Sequence, residues 1–87
     1  MNYTYVALKK ILTELLSEEY PDISSVQVVD DDWDNIHKYK VFLGVKPADI
    51  SKFDNDDVRD YVRNVSKYVL GDNESIYQIL FYNSEAN

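Results

Sequence analysis

Asp30, Asp32 and Asp34 occupy alternate positions, the spacing of the first ligands in a calcium loop. Such a loop continues with a glycine at its sharp turn and closes on a bidentate glutamate. Asn35 and Val41 stand at those two places, so an EF-hand is excluded and no metal is assigned. Asp31 makes the acidic run continuous, and Trp33 sits inside it. An indole framed by carboxylates has the make-up of an interface anchor with a charged rim. The alternative is that Trp33 folds back onto the sheet edge or a helix end. Asp54, Asp56, Asp57 and Asp60 form a second run, at the start of a helix.

Catalysis finds little to work with. His37 is the single histidine, and the chain has no cysteine. A nucleophile needs a base within reach, and no arrangement of Ser, Cys and His supplies one. Acid–base work by paired carboxylates needs raised pKa values in a pocket, whereas these acids belong to turns and a helix start open to solvent. The expectation is a non-enzyme without cofactor.

A third group of residues carries a different chemistry. Lys38, Lys40 and Lys46 alternate with Phe42 along one strand, and Leu80 and Tyr82 of another strand join that face. Lysines interleaved with aromatics can form a nucleic-acid platform. Three lysines on a chain with sixteen acidic and nine basic residues, net charge −7, make a poor one. An apolar patch framed by lysines fits another protein better, including a second copy of this chain. The plain alternative is a solvated sheet face whose lysines discourage edge aggregation.

Net charge sets the choice of partner. An acidic surface repels phosphate backbones and anionic membranes, so direct nucleic-acid or membrane binding is not expected. It favours a basic protein, met faster through electrostatic steering. Eight tyrosines add large apolar bodies with polar tips, the make-up of interfaces and of core edges alike. No stretch is apolar enough to span a bilayer and no signal peptide opens the chain, which places the protein in the cytoplasm.

The elements that position these residues follow from periodicity. Length predicts a single globular domain over residues 1–83, with 84–87 as a flexible tail. Tyr5, Leu8, Leu12, Leu15 and Leu16 predict a helix over 4–19, capped by Asn2 or Thr4 and ended before Pro21. Ile23 to Asp30 reads as a strand, 30–35 as a turn and 36–46 as a second strand, the two pairing as an antiparallel hairpin. On the second strand His37, Tyr39, Val41, Leu43 and Val45 share the core face. Residues 47–53 read as a connector. Asp54 is placed as the cap of a helix over 55–70, with Asp57 at its third position and Gly71 as its stop. Residues 75–83 read as a third strand, with Tyr77, Ile79 and Phe81 opposite Ile76, Leu80 and Tyr82.

The predicted class is α+β in the order α-β-β-α-β, two helices packed on one face of a three-stranded sheet. In topology this resembles a ferredoxin-like unit lacking its first strand, or a reduced type II KH-like unit. The GXXG loop with which KH domains hold nucleic acid is absent, since Gly44 and Gly71 are the only glycines. In size, charge and Tyr/Trp content the chain resembles small acidic immunity proteins, antitoxins and phage-encoded inhibitors. That resemblance implies a DNA-mimic module whose two acidic runs neutralise a basic, nucleic-acid-handling protein. The alternative is a homodimeric accessory or regulatory domain that associates through its open sheet face.

Overall fold

The computed structural model describes residues 3–31, 37–71 and 74–85. Helix α1 spans Thr4–Glu19, strand β1 Ser25–Asp30 and strand β2 His37–Val45. A 3-10 turn at Pro47–Asp49 leads into the short helix α2, Ile50–Phe53. Helix α3 spans Asp56–Ser66 and strand β3 Glu74–Asn83. The class is α+β, with the long helices on one face of a mixed three-stranded sheet ordered β1-β2-β3.

β1 and β2 are antiparallel, whereas β2 and β3 are parallel. A parallel pair cannot be closed by a hairpin, so the helical stretch between them makes the crossover. In a ferredoxin-like unit the corresponding two strands are split by the first strand of the fold. Here that strand is missing, the gap is closed, and β2 and β3 bond directly.

The core lies between sheet and helices. Leu8, Leu12 and Leu16 of α1 and Val58, Val62 and Val65 of α3 bury against Val26, Val28, Tyr39, Val41, Leu43, Val45, Ile76 and Ile79. Four-residue spacing puts the three leucines in one row along α1. Tyr5, expected on the same stripe, is 39% exposed. The fully buried Tyr39 ring keeps its hydroxyl satisfied by donating to Glu74 Oε2 at 2.9 Å. Tyr20 meets Phe53 and Tyr61 edge-to-face, and Tyr61 donates to the Leu15 carbonyl at 3.2 Å, tying α1 to α3.

Several boundaries differ from expectation for identifiable reasons. Neither Asn2 nor Thr4 caps α1: Thr4 is already helical, Tyr3 holds the cap position without a side-chain bond, and Asn2 lies outside the described residues. The connector contains a 3-10 turn and α2, and Phe53 is drawn into the core. Because α2 continues to Phe53, Asp54 closes it, its N–H bonding the Ile50 carbonyl at 2.8 Å. The α3 cap is therefore Asn55, extended at φ −147° and ψ 169°, whose Oδ1 accepts from Val58 N at 3.1 Å. Asp57 is then the second helical residue, and Val58 the third. At the other end, α3 stops at Ser66 and tightens into a turn over residues 67–69 through Tyr68 N to Val65 O and Val69 N to Ser66 O, so Gly71 does not terminate it. Gly71 N instead bonds Glu74 Oε1 at 2.7 Å.

The most consequential departure is in β3. Its register against β2 shifts between Tyr39 and Lys40, so that Tyr39 opposes Ile76 and Lys40 opposes Gln78. One extra residue reverses the alternation. Ile76 therefore turns into the core and Tyr77 onto the outer face. From Ile79 onward, Ile79 and Phe81 face the core while Leu80 and Tyr82 face out.

At the chain's end, Ser84 N bonds the Val45 carbonyl at 2.9 Å and Glu85 N bonds Asn83 Oδ1 at 2.9 Å. Among the described residues no helix is long and apolar enough to cross a membrane.

Candidate interaction surface

The sheet face opposite the helices is set by register. One row across it is Gln27, Phe42 and Leu80; the next is Ser25, Gly44 and Tyr82; on the other side lies Val29, Lys40 and Gln78. Alternation makes these side chains neighbours on the same face. Phe42, Leu80 and Tyr82 are half-buried by one another, and Val29 is 45% exposed. The apolar strip thus crosses all three strands.

Gly44 shapes one end of the strip. The Tyr82 ring lies across it and its hydroxyl bonds Ser25 Oγ. A Cβ at Gly44 would come within 2.9 Å of Tyr82 Cζ and OH. The missing side chain is what lets the ring lie flat on the sheet.

A polar relay shapes the other end. Lys40 Nζ stands 5.7 Å from the Tyr77 ring centre, and the Tyr77 hydroxyl donates to Asp31 Oδ2 at 2.8 Å. Asp31 N in turn bonds the Lys38 carbonyl at 2.7 Å. So one member of the acidic run is folded onto the rim of this face and occupied there. Lys46, past the end of β2, is exposed.

The predicted sheet-face residues Lys38, Lys40, Phe42, Leu80 and Tyr82 therefore share one surface. Tyr77, Val29, Gln27 and Gly44 belong to it as well. Parity along β1 marks Gln27 and Val29 in the sequence, because Val26 and Val28 face in. Nothing in the sequence marks Tyr77, which reaches this face through the bulge.

The acidic residues divide. Asp30 ends β1 and Asp31 follows it, beside Tyr39 and Lys38 of the central strand. Asp32, Trp33 and Asp34 lie outside the described residues, as does the His37 side chain. Asp54, Asp56, Asp57 and Asp60 are exposed around the start of α3, where Asp54 pairs with Arg59. The Arg59 guanidinium sits 5.5 Å from the Phe81 ring centre, and Phe81 opposes Leu43. Tyr39 and Leu43 are four residues apart on β2, about 13 Å at strand rise. The described members of the two runs therefore stand toward opposite ends of the sheet.

Other chemistry is sparse. Among the described residues no group of three or more His, Cys, Asp or Glu could hold a metal ion. A depression of about 200 Å³ between the end of α3 and the start of β3 is lined by Arg63, Lys67, Leu70 and Glu74. It is smaller than the roughly 300–1,000 Å³ that a small-molecule site occupies. The Tyr61 hydroxyl is pushed above its ordinary pKa by burial first, then by Glu19 and Glu18.

No protein-family model matches this chain, and no curated protein matches it. Among solved structures it is similar to the MamB CTD magnetosome protein of Desulfamplus magnetovallimortis BW-1. The two share 16% sequence identity over 99% of each chain, with a TM-score of 0.69. At that identity the likeness is one of fold.

Proposed function

We propose that this chain is a non-enzymatic association module that pairs with a second copy of itself through the open sheet face. The observation that carries the reading is the strip of Val29, Phe42, Leu80 and Tyr82 on a face no described helix covers. A half-buried apolar strip with a polar rim is the usual composition of a protein interface. The lysines are compatible with it: the Lys40 ammonium stands over the Tyr77 ring at the rim, and a lysine stem can cover apolar surface while its charge stays in water. The likeness to the MamB CTD supports the reading through the fold alone.

Size sets the strength. Nine residues of β2 give a length of about 30 Å, and three strands a width of about 10–15 Å. The resulting flat area of about 400 Å² is near half of the roughly 800 Å² per partner in a stable complex. The dimer is therefore weak and forms as the protein is concentrated. Neutralisation of a basic, nucleic-acid-handling protein has less support, because the described acids stand at two ends rather than in one groove-filling surface.

Sedimentation equilibrium over a wide concentration range tests the proposal. Wild type moves from monomer to dimer, with little dependence on salt because the contact is apolar. Phe42→Glu places a carboxylate in the middle of the strip and removes the face's contribution, shifting association to markedly higher concentration. A wild-type chain that remains monomeric at millimolar concentration, or a Phe42→Glu chain that dimerises equally well, overturns the reading.

A further inference from the structure

The free edge of β3 has a chemistry of its own. Ser84 N bonds the Val45 carbonyl, and Asn83 is the residue opposite Val45. In a parallel ladder one residue turns both its N–H and its C=O to the neighbour, and the next turns both away. Ser84, Tyr82 and Leu80 therefore bond β2. Ile79, Phe81 and Asn83 turn three N–H and three C=O groups away from β2, and no described backbone group bonds them; Phe81 and Asn83 are half-buried, whereas Ile79 is 4% exposed.

Exposed edges are normally guarded by lysine, proline or short length. β3 has ten residues and no Lys, Arg or Pro. The lysines of the outer face cannot guard an edge, because they sit on the central strand. The bulge near Tyr77 blunts the first half of β3 and leaves Ile79–Asn83 regular.

We infer that the Ile79–Asn83 edge pairs antiparallel with the same segment of a second copy, about a two-fold axis at Phe81. The register is self-complementary. Phe81 opposes Phe81, Ile79 opposes Asn83, and Leu80 opposes Tyr82 on the outer face. Each outward N–H then finds an outward C=O. The segment itself carries no charged side chain, and the charges placed beside it are the Arg59 guanidinium over the Phe81 ring and its ion-pair partner Asp54. Pairing joins the two sheets edge to edge and makes the outer strips continuous through the Leu80–Tyr82 pairs. This contact is separate from stacking of the two faces.

Amide hydrogen exchange by NMR at dilute and millimolar concentration tests it. The N–H groups of Leu80, Tyr82 and Ser84 are protected at both concentrations. Those of Ile79, Phe81 and Asn83 slow by about tenfold or more on concentration. The slowing persists in Phe42→Glu, which disables the face but not the edge. Asn83→Pro removes an outward N–H without touching the β2 ladder and abolishes the slowing at Ile79 and Phe81. Asn83→Ala, which also loses the bond to Glu85 N, leaves it intact. Equal exchange at Ile79, Phe81 and Asn83 at both concentrations overturns the inference, whether the chain is then monomeric or dimerises through the face alone. Slowing that vanishes in Phe42→Glu assigns it to the face and overturns it too.

Discussion

Gly44→Ala should destabilise the protein, although alanine is ordinarily the better residue inside a strand. The gain from replacing glycine is about 0.5–1 kcal/mol through the lost freedom of the unfolded chain. Against it stands the Tyr82 ring, whose Cζ and OH would lie 2.9 Å from the new Cβ. Forcing an extra methyl under a packed ring costs about 1–3 kcal/mol. Lifting the ring also breaks its bond to Ser25 Oγ, worth about 0.5–1.5 kcal/mol. At the midpoints of these ranges the net is a loss of about 2 kcal/mol, which lowers Tm by about 8–16 °C in a domain of this size. The sign reverses once the ring is gone. In a Tyr82→Ala background the same Gly44→Ala change meets only the Ser25 hydroxyl, a small rotor that can turn aside, and stabilises by about 0.5 kcal/mol. Urea unfolding of the four proteins in this double-mutant cycle should give a coupling of about 2.5 kcal/mol. Equal costs in both backgrounds, or a gain in the wild-type background, would refute the packing of Tyr82 over Gly44.

Val41 is fully buried on the central strand between Val28 and Ile79, so Val41→Asp strands a carboxylate in the core. It should cost more than about 4 kcal/mol and leave no cooperative thermal transition by circular dichroism. Asn55→Ala removes the α3 cap and should lose about 0.5–2 kcal/mol in urea unfolding. Asp54→Ala gives up only a largely exposed ion pair, within about 1 kcal/mol, and so ranks below it. For Tyr61 the sign follows from its raised pKa. The unfolded chain loses the proton first, so the contribution is complete below the ordinary tyrosine value and is lost as pH rises from there through the raised folded value. Stability followed from neutral pH to above about pH 10 should fall more steeply in wild type than in Tyr61→Phe.

Alternation and helical spacing made most of this fold legible. Val41, Leu43 and Val45 could only face a core, and Leu8, Leu12 and Leu16 could only form one row. What was hidden depends on contacts rather than on pattern. The cap of α3 moved from Asp54 to Asn55 because α2 uses Phe53 as a core residue, and a four-residue helix has too short a period to read. The bulge beside Tyr77 is invisible because strand three is apolar in both phases, so a one-residue slip leaves no trace in hydrophobicity. Strand order was equally hidden. With β2 in the centre, its lysines change meaning, from guards of an edge to features of a face. The sheet-face cluster was legible by parity, since it needed only the alternation of β2 and the far end of β3.

Placement of charge now separates the two ideas about acidity. Among the described outward-facing residues of the sheet, Lys38 and Lys40 stand against Asp31, a difference of two minus one, or one positive charge. The chain as a whole carries −7. The acids are thus concentrated on the helices and at the ends of the sheet. Repulsion between exposed charges decays over about 8–10 Å at physiological salt. Two copies meeting at the sheet face bring together their least acidic described surface; at the β3 edge the paired segment is uncharged and the Arg59–Asp54 ion pair stands beside Phe81. A third copy approaching the helix layer meets the acidic start of α3. Under the proposed pairing, acidity of this kind leaves the sheet face open and opposes approach over the helix layer.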